Sequence, residues 1–138
     1  LHKEYRRQRQ MCIRDRNSIF VDDQQKALEF YTDKIGFHKK EDVPIGEHRW
    51  ITVCNKGDDF ELVLEPDAHP AAKAYKEAIY KDGIPATMFY VDDINTEYKK
   101  LIDNGVQFKS EPVEMGAVKI ALFDDTCGNY ISLCEKLS

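Results

Sequence analysis

No apolar run in the 138 residues approaches the roughly 20 that a membrane-spanning helix needs. The four cysteines, Cys12, Cys54, Cys127 and Cys134, show no C-x-x-C spacing, and no secretory h-region precedes them. That pattern argues against a zinc knuckle or a disulfide framework and fits reduced thiols in a cytoplasm. A Ser-His-Asp order, a nucleotide-binding glycine pattern and H-E-x-x-H are all missing. Positive charge is scarce beyond the first 16 residues. These hold six Lys/Arg against two Asp/Glu, and since the whole chain has 20 against 25, the rest carries 14 against 23, a net charge of −9. Such a body repels a phosphate backbone, so no nucleic-acid partner is expected.

What is present suits one soluble domain with a real core, at 42% hydrophobic and 33% charged residues. The exception is RRQRQMCIRDR, residues 6 to 16, with five arginines in eleven residues. It back-translates as CGT CGG CAG CGT CAG ATG TGT ATA AGA GAC AGR, which resembles the transposase adapter used in preparing sequencing libraries. Residues 1–16 are therefore expected to be an artefactual extension of a bacterial, metagenomic gene, with the natural domain over 17–138.

Within that domain the sequence repeats. SIFVDDQQKALEFYTDKIGF (18–37) aligns with MFYVDDINTEYKKLIDNGVQF (88–108) so that Val21 falls on Val91, an offset of 70. In each half an apolar strand ends at V-D-D, an aspartate caps a helix of about three turns, and Gly36 or Gly105 closes it. Three β-like runs follow in each half. They are GFHKKEDV, RWITVCNK and FELVLE in the first, and VQFKSEPV, AVKIALFD and YISLCE in the second, with GDD (57–59) and CGN (127–129) as turns. HPAAKAYKEAIYKDG (69–83) reads as a linking helix. The expected fold class is α+β, with two tandem βαβββ modules: module one at 17–66, the linker at 67–83 and module two at 84–138.

This duplication resembles the vicinal oxygen chelate superfamily of glyoxalase I, bleomycin and fosfomycin resistance proteins and extradiol dioxygenases. It does so together with the V-x-D-x-x-x-x-x-x-F-Y pattern (Val21, Asp23, Phe30, Tyr31) and the D-x-x-G-N turn (Asp125, Gly128, Asn129). The resemblance covers residues 17 to 136. It implies that each module curls its strands around a cavity with the helices outside, and that two chains pair as a homodimer to complete two equivalent sites. Metal-dependent relatives would place ligands at Arg16, Val63, Ala86 and Ser132, and none of these is a plausible ligand for a divalent metal.

Strand alternation then sorts the residues. Ile19, Val21, Ile51, Val53, Leu62, Leu64, Phe89, Val91, Ile120, Leu122, Ile131 and Leu133 are expected under the helices. The alternate set, expected in the cavity, contains Ser18, Phe20, His48, Trp50, Thr52, Cys54, Glu61, Val63, Glu65, Met88, Tyr90, Lys119, Ala121, Phe123, Tyr130, Ser132 and Cys134. Ligand binding is assigned to Phe20, Trp50, Tyr90, Phe123 and Tyr130 as stacking rings, with Thr52, Ser132 and Lys119 as polar handles. His48, Glu61 and Glu65 become metal ligands only if this register slips. His38 and His69 read as surface residues, and neither Cys127 nor Cys134 has a neighbour that would make it a nucleophile.

The leading expectation is a metal-free, cofactor-free protein that sequesters a small, flat or partly apolar molecule, as bleomycin-resistance-type proteins do. The alternative is a lyase, isomerase or dioxygenase using nickel, zinc, manganese or iron. A third reading, an interaction module without a small ligand, predicts a cavity plugged by its own side chains.

Overall fold

Two aspartates start the two repeated helices. Asp23 Oδ1 accepts the Lys26 N–H at 3.1 Å and Asp93 Oδ1 accepts the Thr96 N–H at 3.2 Å. Each cap stabilises its helix by about 1 kcal/mol and fixes where the chain leaves the preceding strand. The structure, a computed structural model, describes residues 16–55 and 60–137. Residues 1–15 of the expected extension over 1–16 and the expected GDD turn lie outside these, while Arg16 opens the first strand.

Module one runs β1 (Arg16–Val21), α1 (Gln24–Glu29) continued by a π-helical turn (Phe30–Lys34), β2 (His38–Ile45), β3 (His48–Cys54) and β4 (Glu61–Pro66). The linking helix α2 (Pro70–Lys81) follows. Its N-cap is His69, whose Nδ1 accepts the Ala71 N–H at 3.0 Å. Module two runs β5 (Thr87–Tyr90), α3 (Ile94–Asp103), β6 (Gln107–Phe108), β7 (Val113–Met115), β8 (Val118–Asp124) and β9 (Tyr130–Lys136). The expected single strand VQFKSEPV is thus two short ones, β6 and β7, both paired with β8. Pro112, which has no N–H for a ladder, stands in the break.

The strand orders are β1-β4-β3-β2 and β5-β9-β8-β6, and in both modules the first strand pairs in parallel with the last. The fold is α+β, in two open sheets. Ser18 lies opposite Val63 and Met88 opposite Ser132, so the ladders equate 18 with 88 and 63 with 132. The offset between the halves therefore falls from 70 to 69. One cause is the π turn, a one-residue insertion. Phe37 N–H reaches back to Tyr31 O, whereas Val106 N–H reaches Leu101 O one residue sooner. Tyr31 and Leu101 are thus equivalent. The modules meet at equivalent positions where Asn17 Nδ2 donates to Thr87 Oγ1, and they meet again at the helix ends, where Asn104 Nδ2 donates to Lys34 O at 3.1 Å.

The core runs across both modules, with Ala27, Leu28 and Phe30 of the first helix against Ile51, Val53, Leu62 and Leu64, and with Ile131, Leu133 and Phe123. Phe123 was expected in the cavity and is instead fully buried, its ring 6.1 Å from Phe30. In β8 the expected faces are exchanged: Ala121 and Phe123 point under the helices, and Ile120 and Leu122 point away. Direct pairing shows why, because Ala121 lies opposite Leu133 and Phe123 opposite Ile131, and residues directly opposite share a face. VKIALF is apolar on both faces, so alternation within β8 could not choose between them.

Candidate functional site

On module one the face away from the helices carries Phe20, Trp50 and Thr52, as expected, along with Val63. Thr52 lies opposite both Glu41 and Val63, and Val43 lies opposite Trp50. Trp50 Nε1 donates to Glu41 Oε1 at 3.3 Å. Thr52 is 0% exposed and its Oγ1 has no hydrogen-bond partner among the described residues. A buried hydroxyl left unpaired costs about 1–3 kcal/mol, so this one marks a place where a polar partner would be stabilising. β2 extends to Ile45, beyond the expected end at Val43. It therefore adds Val43 and Ile45, both exposed, to the same face as Trp50 and His48. The alternation D-V-P-I was the available signal for Ile45, and the proline hid it.

On module two the corresponding face holds Tyr90 and Ser132, again as expected. Ser132 is opposite Met88 and Leu122. Tyr90 is 64% exposed, with Lys136 Nζ 4.9 Å from its ring centre. Val113 and Met115, exposed and opposite Ile120 and Val118, extend the apolar surface.

Three expected binding residues are not there. Phe123 is in the core. Lys119 lies opposite Glu135, whose Oε1 accepts the Ile94 N–H at the start of α3, so Lys119 is on the helix side. Its charge adds a small pull to Asp93, whose carboxyl is held below its usual range mainly by the capping bond from Thr96 N–H. Tyr130 keeps the expected strand parity, but its ring is stacked at 4.5 Å on Tyr80 of α2, with Lys109 Nζ at 4.8 Å from the ring. The Tyr80 hydroxyl in turn donates to Asp124 Oδ2 at 2.6 Å.

The register does not slip onto a glutamate. Leu62 and Leu64 are fully buried in the core, which leaves Val63 at the mid-strand position on the other face, with Glu61 and Glu65 two residues either side. Glu61 is buried, with Lys40 Nζ at 3.7 Å from Oε1. His48 is exposed near the β2–β3 turn. No three His, Cys, Asp or Glu among the described residues are grouped to hold a metal ion. Val63 and Ala86 offer no donor atom at positions where metal-dependent relatives would need one, so the residues present do not fit a divalent ion. Cys54, Cys127 and Cys134 are free thiols, and burial pushes Cys127 up to about 12, far from a working thiolate. Among the described residues no helix is long and apolar enough to cross a membrane.

A buried polar cluster that sequence reasoning identified only as two separate motifs joins the modules. Asp125 Oδ1 accepts the N–H groups of Cys127 (2.7 Å) and Asn129 (3.0 Å), while Oδ2 accepts the Tyr31 hydroxyl (2.7 Å) and Asn129 Nδ2 (3.0 Å). Asn129 Nδ2 also donates to Phe20 O at 2.8 Å. Lys76 of α2, buried, donates to Cys127 O at 3.3 Å and pairs with Asp67 at 3.0 Å. This cluster sets the first module's helix against the second module's last turn.

Paired βαβββ modules, each presenting an open sheet face, define a class of small proteins built on a duplicated unit. Residues 13–133 match the family model described as the Glyoxalase/Bleomycin resistance protein/Dioxygenase superfamily, and the chain belongs to that family. It is 58% identical over 121 residues to the uncharacterized protein YurT of Bacillus subtilis (strain 168), covering 86% of this chain and 95% of that protein. Among solved structures it is similar to UcmS2, with 34% identity and a TM-score of 0.76 over 87% of this chain and 95% of that one. It is also similar to TnmS3, an antibiotic binding protein from Streptomyces sp. CB03234, with 28% identity and a TM-score of 0.71 over 88% and 93% of the two chains.

Proposed function

We propose that this protein captures a small, flat or partly apolar organic molecule, without a metal ion, on the sheet face that carries Trp50, Thr52, Tyr90 and Ser132. The observation that carries this reading is where the exposed apolar side chains fall. Of the ten exposed large apolar side chains among the described residues, six, Val43, Ile45, Met88, Tyr90, Val113 and Met115, lie on the faces away from the helices, whereas Tyr75, Ile84, Ile102 and Leu137 lie elsewhere. A monomer does not keep such a surface in water without use. Trp50 and Tyr90 supply rings for stacking. The likeness to an antibiotic binding protein supports capture rather than turnover. A second chain closing the face, as a homodimer, completes the reading.

Trp50 is the single tryptophan, so its fluorescence reports on the site directly. Titration with a panel of planar aromatic compounds is expected to give saturable quenching for at least one. Tyr90→Ala should weaken that binding about tenfold while the variant stays folded. Absence of saturable quenching across the panel, together with roughly one tightly held nickel, zinc, manganese or iron ion per chain, would favour the metal-dependent alternative.

A further inference from the structure

The two halves of the module seam are built differently. On one side the Tyr31–Asp125–Asn129 cluster fills it. The equivalent positions on the other side follow from the strand ladders and helix ends. Tyr31 corresponds to Leu101, and Asn129 to Phe60, because β4 and β9 keep an offset of 69. Thr52 lies opposite Val63 and Leu122 opposite Ser132, so β3 and β8 are offset by 70 and Asp125 corresponds to Asn55. All three replacements, Leu101, Phe60 and Asn55, line one cavity of about 560 Å³. Among the described residues, Leu101, Asn55 and Phe60 offer no hydroxyl, carboxylate or amide, respectively, where Tyr31, Asp125 and Asn129 do, and all three border a space.

That space runs along β5. Met88, Phe89, Tyr90 and Val91 all line it although they alternate between faces, which means that it follows the strand's edge facing away from β9. Its apolar wall is an aromatic trio. Phe89 meets Phe37 edge-on at 5.3 Å and Phe60 edge-on at 5.8 Å, and Phe37 and Phe60 are 6.2 Å apart. Two positions that are apolar in module one, Ala27 and Phe30, are charged here as Glu97 and Lys100, and both line the cavity. Lys100 is exposed, and neither it nor Glu97 has an ion-pair partner among the described residues. The volume falls within the roughly 300–1,000 Å³ of small-molecule sites.

We infer that this asymmetric seam cavity, which adjoins the Trp50–Tyr90 face at Met88 and Tyr90 but is centred on Phe37, Phe60 and Phe89, is a second binding site for a flat aromatic molecule bearing one acidic group. Its rings pack against Phe37, Phe60 and Phe89, and its anion faces Lys100. Apolar area drives entry, and the ammonium selects an anion over a neutral compound of the same shape.

The test uses two fluorescent probes of similar ring system, the anionic 1-anilinonaphthalene-8-sulfonate and the neutral N-phenyl-1-naphthylamine, with the full chain at neutral pH. Leu101→Tyr restores the residue that fills the equivalent place in module one and should weaken both probes about tenfold. Lys100→Glu changes only an exposed side chain. It should weaken the sulfonate about tenfold and leave the neutral probe within about twofold. Amide chemical shifts in the wild type should move at Phe37, Phe89 and Leu101 on adding the sulfonate. Shifts confined to Val43, Trp50 and Met115, or equal affinity of the sulfonate for wild type and Lys100→Glu, would overturn the proposal. If Leu101→Tyr does not fold, the charge variant and the shift map decide.

Discussion

The Tyr31 hydroxyl donates to Asp125 Oδ2 at 2.7 Å, joining residues 94 apart in the chain and the two modules of the fold. Tyr31 is fully buried, and burial, followed by the Asp125 charge, holds its hydroxyl well above its usual range. It therefore acts as a donor at any physiological pH. The π turn that begins at Phe30 is the insertion that separates this helix from its module-two counterpart.

Tyr31→Phe removes that donor and leaves the carboxylate one partner short. Loss of a buried bond to a charged acceptor costs about 1.5–3 kcal/mol, which should appear as a lower urea midpoint with an unchanged slope. A change within about 0.5 kcal/mol would mean that the bond adds nothing to stability.

Asp125 makes an unusual prediction about pH. Burial is the largest influence on it and raises its pKa, against the lowering effect of the Tyr31 and Asn129 hydrogen bonds. The native state therefore holds this proton more tightly than the unfolded chain, where a carboxyl titrates near about 3.9. The contribution is full below that value and is lost as pH rises through the native pKa. The stability difference between wild type and Asp125→Asn should accordingly be more favourable to wild type near pH 3.5 than at pH 7 by denaturant titration. The reverse slope would show that the hydrogen bonds outweigh burial.

Gly128 sits at φ +94, where a Cβ would stand 2.5 Å from Lys76 Nζ. Gly128→Ala adds backbone strain and displaces a buried lysine from Cys127 O and Asp67. A loss of about 2–3 kcal/mol is expected by thermal or urea unfolding. Gly46→Ala, also at positive φ but with nothing within 4 Å, should cost less.

Metal content is checked by elemental analysis after incubation with nickel, zinc, manganese or iron(II) and buffer exchange. Far less than one ion per chain is expected, because Val63 and Ala86 carry no donor and no three candidate ligands converge among the described residues.

The duplicated plan was legible because it is written in local chemistry. Aspartate caps at 23 and 93, glycines after each helix and alternating strands are read within a few residues of themselves. Trp50, Thr52, Tyr90 and Ser132 were placed on the correct face because each strand there has one face plainly more apolar than the other, or a partner that repeats it across the halves. Phe123 and Lys119 were misplaced because β8 is apolar on both faces, so its parity is fixed by Leu133 and Ile131 opposite rather than by its own pattern. Tyr130 was lost to Tyr80, a contact across 50 residues.

The sequence by itself determined two βαβββ modules with their caps and turns, since propensity and residue type act at short range. Only the tertiary structure decided that Tyr31 meets Asp125 on one side of the seam while Leu101 faces a cavity on the other. That difference arises from packing between segments far apart in the chain, where a one-residue insertion changes which side chains can touch.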